Sequence, residues 1–313
     1  MQLQLIAPSG ASLDQRSPQA GINWLSKQGV IVSNAECTQR IHQRFSGTDA
    51  ERLAELNALA ALPANTNAMA MRGGYGLHRL LAQIEWQAIA HAVARGVQIS
   101  GHSDFTAFHL GLLAKTGGIS LAGPMLNYDF GRIEENQVVA PDPLMWTHFK
   151  CAIEERSLSA KVNSSQPFSA LATKTKTSTG MLWGGNLTVL TSLIGTPYFP
   201  AEQQYENGIL FLEDVNEHPY RIERMLMQLF DAGILGKQSV IMLGGFSAYR
   251  LYDNDRGYSL QAAFEAIRSR LTDSIPMLTD LPFGHQPNKL TLPVGATARV
   301  EASDAGFTIE ANW

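Results

Sequence analysis

The stretch GVQISGHSDFTAFHLGLL sets Ser103 between a short apolar strand and a helix. A serine at that junction can sit on a tight turn with its hydroxyl directed away from the sheet. The G-x-S-x spacing overlaps the nucleophile elbow, with Gly101 giving the chain room to reverse and Asp104 opening the helix. The second glycine of G-x-S-x-G is missing, and Phe105 stands in its place. Two readings stand side by side: a nucleophile and an ordinary helix N-cap.

A serine nucleophile requires a base within hydrogen-bond reach and a carboxylate that holds the base in the right tautomer. Of eight histidines, His42, His78, His91, His109 and His148 fall in helical stretches, where structural roles are expected. His102 adjoins the serine, but successive residues on a turn point apart. His218 precedes Pro219 at a helix entry, a place for capping. His285 follows the strand-like IPMLTDLPF in the loop FGHQPNK, the kind of segment that presents functional side chains, and is the best base candidate. Carboxylates concentrate in GILFLEDVNEHPYRIER. Glu213 ends an apolar strand and would be positioned by a rigid element, while Asp214 and Glu217 compete with it. Period-2 alternation does not decide among them, and all three could instead favour the positive end of the following helix.

Upstream, RGGYG (residues 72–76) supplies consecutive glycines whose N–H groups could converge on a negatively charged oxygen; a plain tight turn is the alternative. Neither G-x-G-x-x-G nor G-x-x-x-x-G-K occurs, which disfavours nucleotide binding and a dinucleotide-dependent oxidoreductase. With no H-E-x-x-H and no His/Cys cluster, a zinc peptidase is disfavoured and no metal is expected.

The elements that must position these residues alternate. LQLIAP, GVIVS, NAMAM and VQIS read as strands, separated by helices over SPQAGINWLSKQG, DAERLAELNALAAL, and GLHRLL with IEWQAIAHAVARG. This pattern predicts an α/β fold, a largely parallel sheet with helices on both faces, whose ligands lie beyond the carboxyl ends of the strands. RGGYG and GHSD both fall at such ends. Residues 1–138 are read as this first domain. Residues 139–176, with Pro141, Pro143, Pro167, a helix PLMWTHFKCAIEE and a polar tract, are read as an interdomain crossing. Residues 177–313 form a second domain, with a helix NLTVLTSLIG, a buried strand GILFLED and an amphipathic helix HPYRIERMLMQLFDAG. Strand SVIMLGGF, helix SLQAAFEAIRSRL, strand IPMLTDL and a terminal hairpin turning at Asp304-Ala305-Gly306 complete it.

Composition narrows the function. A hydrophobic share of 45% and a charged share of 17% over 313 residues suit a globular chain of about two domains. A net charge of −4 without a basic run argues against nucleic acid. The two cysteines, Cys37 and Cys151, make no disulfide framework, no segment has the apolar length of a membrane span, and the amino terminus lacks a signal pattern. A cytoplasmic protein is expected.

Together, RGGYG, GHSDFT, LWGGNL, GILFLEDVNEHPYRIERML and FGH resemble the murein tetrapeptide LD-carboxypeptidase family of serine peptidases, in the family's order and across nearly the whole chain. The resemblance implies a flavodoxin- or Rossmann-like amino-terminal domain carrying the nucleophile. It also implies a swivelling mixed β/α carboxy-terminal domain carrying the rest of the triad. It makes Ser103 the nucleophile, His285 the base and Glu213 the orienting carboxylate, and the family's use of glutamate sets Asp214 aside. The residue before the serine, usually tyrosine in that family, is His102 here. Oxyanion donors are expected from the backbone of Asp104 and of Gly73 or Gly74. The implied substrate is a muropeptide tetrapeptide whose terminal D-Ala is removed without cofactor or metal. For its carboxylate and zwitterionic end, Arg72, Asn186, Glu217 and Arg221 are candidate contacts, with Trp183 and Tyr75 as walls. A homodimer is expected to steady the domain interface. The rivals are a related hydrolase giving immunity to a peptidyl-nucleotide or amide antibiotic, and a non-catalytic muropeptide sensor.

Overall fold

The computed structural model describes residues 1–164, 176–303 and 305–313. Strands β1 (Gln2–Ile6), β2 (Ile31–Ser33), β3 (Asn67–Ala70), β4 (Gln98–Gly101) and β5 (Ser120–Ala122) run parallel to one another. β3 and β4 are buried at every residue. Central strands covered on both faces lose the in–out alternation, so even the polar Asn67, Gln98 and Ser100 are buried there, each donating to a backbone carbonyl. Around the sheet lie α1 (Arg16–Lys27), α2 (Asp49–Ala58), α3 (Trp86–Ala94) and α4 (Thr106–Thr116). Thr48 and Glu51 cap α2 reciprocally, fixing its start where the DAERLAEL pattern begins.

The chain then forms a two-strand hairpin, β6 (Ile133–Glu134) with β7 (Gln137–Val138), and α5 (Pro143–Glu154), before β8 (Ser157–Asn163). The second lobe continues with β9 (Lys176–Asn186), α6 (Leu187–Ser192), α7 (Glu202–Tyr205), β10 (Ile209–Val215), α8 (Pro219–Asp231), β11 (Val240–Ser247) and α9 (Leu260–Arg268). Strands β12 (Met277–Leu278), β13 (Leu292–Val294), β14 (Thr297–Ser303) and β15 (Gly306–Asn312) finish the chain. One sheet has the order β13-β5-β4-β3-β1-β2 and the other β12-β11-β10-β9-β14-β15-β8.

The middle of the chain is organised differently from the expected crossing over 139–176. Asp142 caps α5 with Pro143 in its first turn, and the helix buries Met145, Phe149, Ala152 and Ile153 against Leu3, Leu5, Leu25 and Phe130 of the first lobe. β8 instead turns Leu158 and Val162 inward and pairs with β15 as the edge of the second sheet. The segment is thus divided between the lobes by its two apolar faces; residues 165–175, with Pro167, lie outside the described residues. β13 crosses the other way, pairing antiparallel with β5. GLHRLL forms short tight turns at Leu77–Arg79 and Leu81–Gln83 rather than an α-helix, and IPMLTDL keeps only the two residues of β12. The terminal hairpin pairs Ser303 with Gly306; Asp304 of its expected turn is outside the described residues.

His109 shows how helix α4 is fastened to the sheet. It is fully buried, with Nε2 2.9 Å from Gly101 O and Nδ1 2.8 Å from Ser120 Oγ. A carbonyl only accepts, so Nε2 carries the proton and Nδ1 accepts from the serine. Burial pushes its pKa down to about 4, against 6.5 for the free group. Between these values the unfolded chain binds the extra proton, so the stability His109 supplies at neutral pH is lost as pH falls from 6.5 toward 4. The steepest slope is about 1.4 kcal/mol per pH unit. His102, also lowered by burial, acts in the same direction, whereas Asp104 and Asp214, raised by burial, oppose it. Comparison with His109→Gln isolates the one group. Urea unfolding from pH 7 to 4.5 is expected to give a shallower decline for the variant; parallel declines would contradict this account.

Candidate active site

Ser103 leaves the end of β4 with φ +61°, a left-handed conformation that side chains other than glycine adopt at a cost. The surroundings hold it there. Phe105 N donates to His102 O at 3.1 Å, and the buried Phe105 ring stacks on Phe108 at 4.8 Å. The Asp104 carboxylate accepts from Ser9 Oγ at 2.6 Å and from Leu77 N at 3.1 Å. It thereby ties the loops after β1 and β3 to the turn that carries Ser103. Burial pushes the Asp104 carboxyl up from its ordinary range, and those two donors pull the other way.

RGGYG crosses directly beside the serine. A Cβ placed on Gly73 would lie 2.7 Å from Ser103 Cβ, 2.8 Å from Ser103 Oγ and 3.3 Å from Asp104 N. Gly73 therefore keeps open the space flanked by the hydroxyl and the first N–H groups of the helical turn, where partial positive charge is available to an oxyanion. Gly74, at φ +106°, faces the Arg72 guanidinium.

From the second lobe, Glu213 lies near the end of β10 opposite Asn186 of β9, at a register shift with β11 between Leu212 and Asp214. The extra residue at that shift lies on β11, and Glu213 and Asp214 are both buried in a strand covered on its two faces. Glu213 is wholly buried, with Oε2 2.8 Å from His285 Nδ1 and Oε1 accepting from Asn186 Nδ2 at 3.1 Å. Because that carboxylate accepts from Nδ1, Nε2 of His285 is left as the basic nitrogen. Asp214 is engaged elsewhere, accepting from Thr188 N at 2.9 Å and Thr188 Oγ1 at 2.8 Å at the start of α6. Burial, and then the neighbouring Glu213, push its carboxyl up.

The lobes meet around Ser103. Thr106 Oγ1 accepts from Asn186 N at 3.0 Å, and the His102 ring meets His285 edge-on at a centroid distance of 5.2 Å. The serine is thus bracketed by residues that touch Asn186 on one side and His285 on the other. Among the described residues no hydrogen bond joins Ser103 Oγ to His285, a contact of the kind that tightens only with substrate bound. No described group of His, Cys, Asp and Glu could hold a metal ion, and both cysteines are free.

The six expected substrate contacts are scattered. Trp183 is no wall: it is wholly buried, stacks on Tyr205 at 5.1 Å and donates Nε1–H to Gln238 Oε1 at 2.9 Å in the second lobe's core. Asn186 turns inward to the two carboxylates. Arg221 of α8 pairs with Glu217, which lies just ahead of that helix, Nε to Oε2 2.5 Å. Arg72 donates to Ala11 O at 2.6 Å and lies 5.6 Å from the Tyr128 ring. Tyr75, 44% exposed, leans on Phe45 and Arg44. A cleft of about 230 Å³ instead lies beside His285, and His102, Tyr128, Arg132, Glu134 and Lys289 line it. None of these was singled out as a contact from the sequence. The usable signal for Tyr128 was its place just after β5, at the same sheet end as Ser103.

Gly73→Ala is expected to push against the Ser103 side chain while leaving both cores untouched. The predicted loss in kcat/KM is about 100-fold or more, the scale of removing one oxyanion donor. Circular dichroism should stay native. A variant retaining full activity would show that the space beside the hydroxyl is not used.

Comparisons with known proteins follow the same outline. Residues 3–123 match the N-terminal domain of LD-carboxypeptidase and residues 179–300 its C-terminal domain. The crystal structure of muramoyltetrapeptide carboxypeptidase from Oxalobacter formigenes superposes with TM-score 0.86 at 37% identity, covering 100% of this chain and 99% of that one. The murein tetrapeptide carboxypeptidase of Pseudomonas aeruginosa is 28% identical over 302 residues, 96% of this chain and 92% of its own. The microcin C7 self-immunity protein MccF of Escherichia coli is 27% identical over 309 residues, 92% of this chain and 86% of its own. With both of its domains matched in order around the serine turn and the Glu213–His285 contact, the chain belongs to the LD-carboxypeptidase family of serine peptidases.

Proposed function

We propose that this enzyme removes the terminal D-Ala from muropeptide tetrapeptides, with Ser103 as nucleophile, His285 as general base and Glu213 as the carboxylate that orients it. The observation that carries the reading is the 2.8 Å contact between Glu213 and His285 Nδ1, made beside a serine held at positive φ. His285 Nε2 takes the hydroxyl proton as Ser103 Oγ attacks the carbonyl of the L,D-peptide bond. Glu213 stabilises the imidazolium so formed. The oxyanion sits in the space beside Gly73, served by the Asp104 N–H and one from Gly73 or Gly74; each such donor is worth about 3 kcal/mol. The imidazolium returns its proton to the leaving D-Ala amine, and water, activated by the same base, releases the shortened peptide and frees the serine.

The reading carries a setting with it: a homodimer acting in the cytoplasm on wall fragments brought back into the cell. Two observations agree with that setting. No helix among the described residues is long and apolar enough to cross a membrane, and both cysteines are unpaired. Arg72, Tyr75, Glu217 and Arg221 remain candidate contacts for the ends of a long peptide.

Incubation of the tetrapeptide with the wild-type protein should release one alanine per molecule, seen by mass spectrometry, and Ser103→Ala should release none. Turnover by the variant would remove Ser103 from the mechanism. An aminoacyl-nucleotide cleaved in preference to the tetrapeptide would replace the substrate class with that of the immunity enzymes.

A further inference from the structure

Lys289 is 1% exposed and is the one buried lysine among the described residues. Its ammonium lies 2.6 Å from Asp129 Oδ1 and 3.3 Å from His102 Nε2. The second Asp129 oxygen accepts from Met125 N at 2.7 Å, so the carboxylate is fixed at both ends. His102 Nδ1 sits 3.0 Å from Gly123 O, which can only accept; Nδ1 therefore carries the proton, and Nε2 accepts from Lys289. Burial and the ammonium hold the His102 imidazole well below its usual range, so it is a neutral ring of fixed orientation. That ring is the surface against which His285 rests.

The chain positions give these contacts their meaning. Lys289 follows His285 by four residues, in a loop closed by Leu290 N donating to Pro282 O at 2.6 Å, and β13 begins just beyond. Asp129 and His102 belong to the first lobe, and His102 is the neighbour of Ser103. The ion pair therefore joins the loop that carries the base to the lobe that carries the nucleophile. Burying two charges is no economical route to stability, since an apolar pair of the same volume does as well or better. An apolar pair would leave the loop free to slide, whereas a directed ion pair with a bound ring sets one position.

We propose that Lys289 and Asp129, acting through His102, are positioning residues that clamp the His285 loop across the lobe seam and set the imidazole against Ser103. The proposal rests on the reading of Ser103 and His285 as nucleophile and base.

Diisopropyl fluorophosphate tests it without peptide binding. Ser103 Oγ bonds to phosphorus, fluoride leaves, and His285 takes the proton. Wild type should be labelled at Ser103, as located by peptide mass mapping. Asp129→Asn, and the double variant Asp129→Asn/Lys289→Met that leaves no orphaned charge, should label about tenfold more slowly or worse, the scale of a misplaced catalytic group. Tetrapeptide kcat should fall in parallel with KM little changed. Thermal melting checks that both variants are folded. A folded Asp129→Asn, or double variant, labelled at the wild-type rate overturns the clamp. Wild type that reacts elsewhere than Ser103 overturns the functional reading and the clamp with it.

Discussion

A carboxylate with no exposed surface, Glu213, sits at the seam of the two lobes, and much of the local architecture follows from satisfying its two oxygens. Stripped of water, the Glu213 anion depends on donors supplied by the protein. Asn186 Nδ2 and His285 Nδ1 supply them, one to each oxygen. Each donor is itself held. Asn186 caps α6 through its side-chain oxygen, and His285 follows Gly284, whose φ of +120° lets the loop pass so close that a Cβ there would lie 3.0 Å from Glu213 Cβ. When the imidazole takes a proton, the positive charge forms against a fixed negative one in a medium that screens poorly, which favours the charged intermediate. Asp214, one residue on, shares the Asn186 amide but takes its other donors from Thr188 at the start of α6 and from Val215 N, where Glu213 takes His285. Adjacent carboxylates acquire different roles from their partners, not from their chemistry.

The same economy governs the seam. Turns after β1, β3 and β4 converge at the carboxyl end of the parallel sheet, where strand ends naturally leave a crevice, and the Asp104 side chain draws all three together. The second lobe packs the ends of β9 and β10 onto the start of α4. Among the described residues a single apolar cluster spans both lobes, from Ile6, Phe105 and Phe108 through Trp183 and Leu212 to Phe283. β13 adds a covalent return path, carrying chain from the second lobe into the first sheet. A site divided between two domains thus rests on one continuous core.

Much of this was legible in the residues. The alternation of strands and helices announced the parallel sheet, and RGGYG, GHSD and LED lie at or near the ends of elements that the pattern located, whereas FGH begins five residues beyond the short β12. What stayed hidden depends on contacts between distant segments. β13 is three residues with a proline among them, too short to register as a strand, and it exists because β5 offers an unpaired edge. Lys289 meets Asp129 across 160 positions, and in the sequence it is one polar residue in a loop. Trp183 beside a double glycine looked like part of a binding wall. Its ring instead packs with Tyr205 and Phe199, residues about twenty positions on, in the core of the second lobe.

The absent glycine of the elbow motif has a physical answer of the same kind. In G-x-S-x-G both glycines relieve crowding where helix and strand converge at the turn. Here the relief comes from the strand side alone. A Cβ on Gly101 would lie 2.7 Å from the Phe105 ring, so that ring occupies the volume which the first glycine leaves empty. Phe105 then fills the space a second glycine would have left, stacks on Phe108 and meets His109 edge-on at 5.1 Å, anchoring the start of α4 in the core. The backbone at Ser103 is still driven to positive φ. An aromatic residue where the motif calls for the smallest one therefore strengthens the support of the strained turn, because the packing requirement is a shared volume that either partner can vacate.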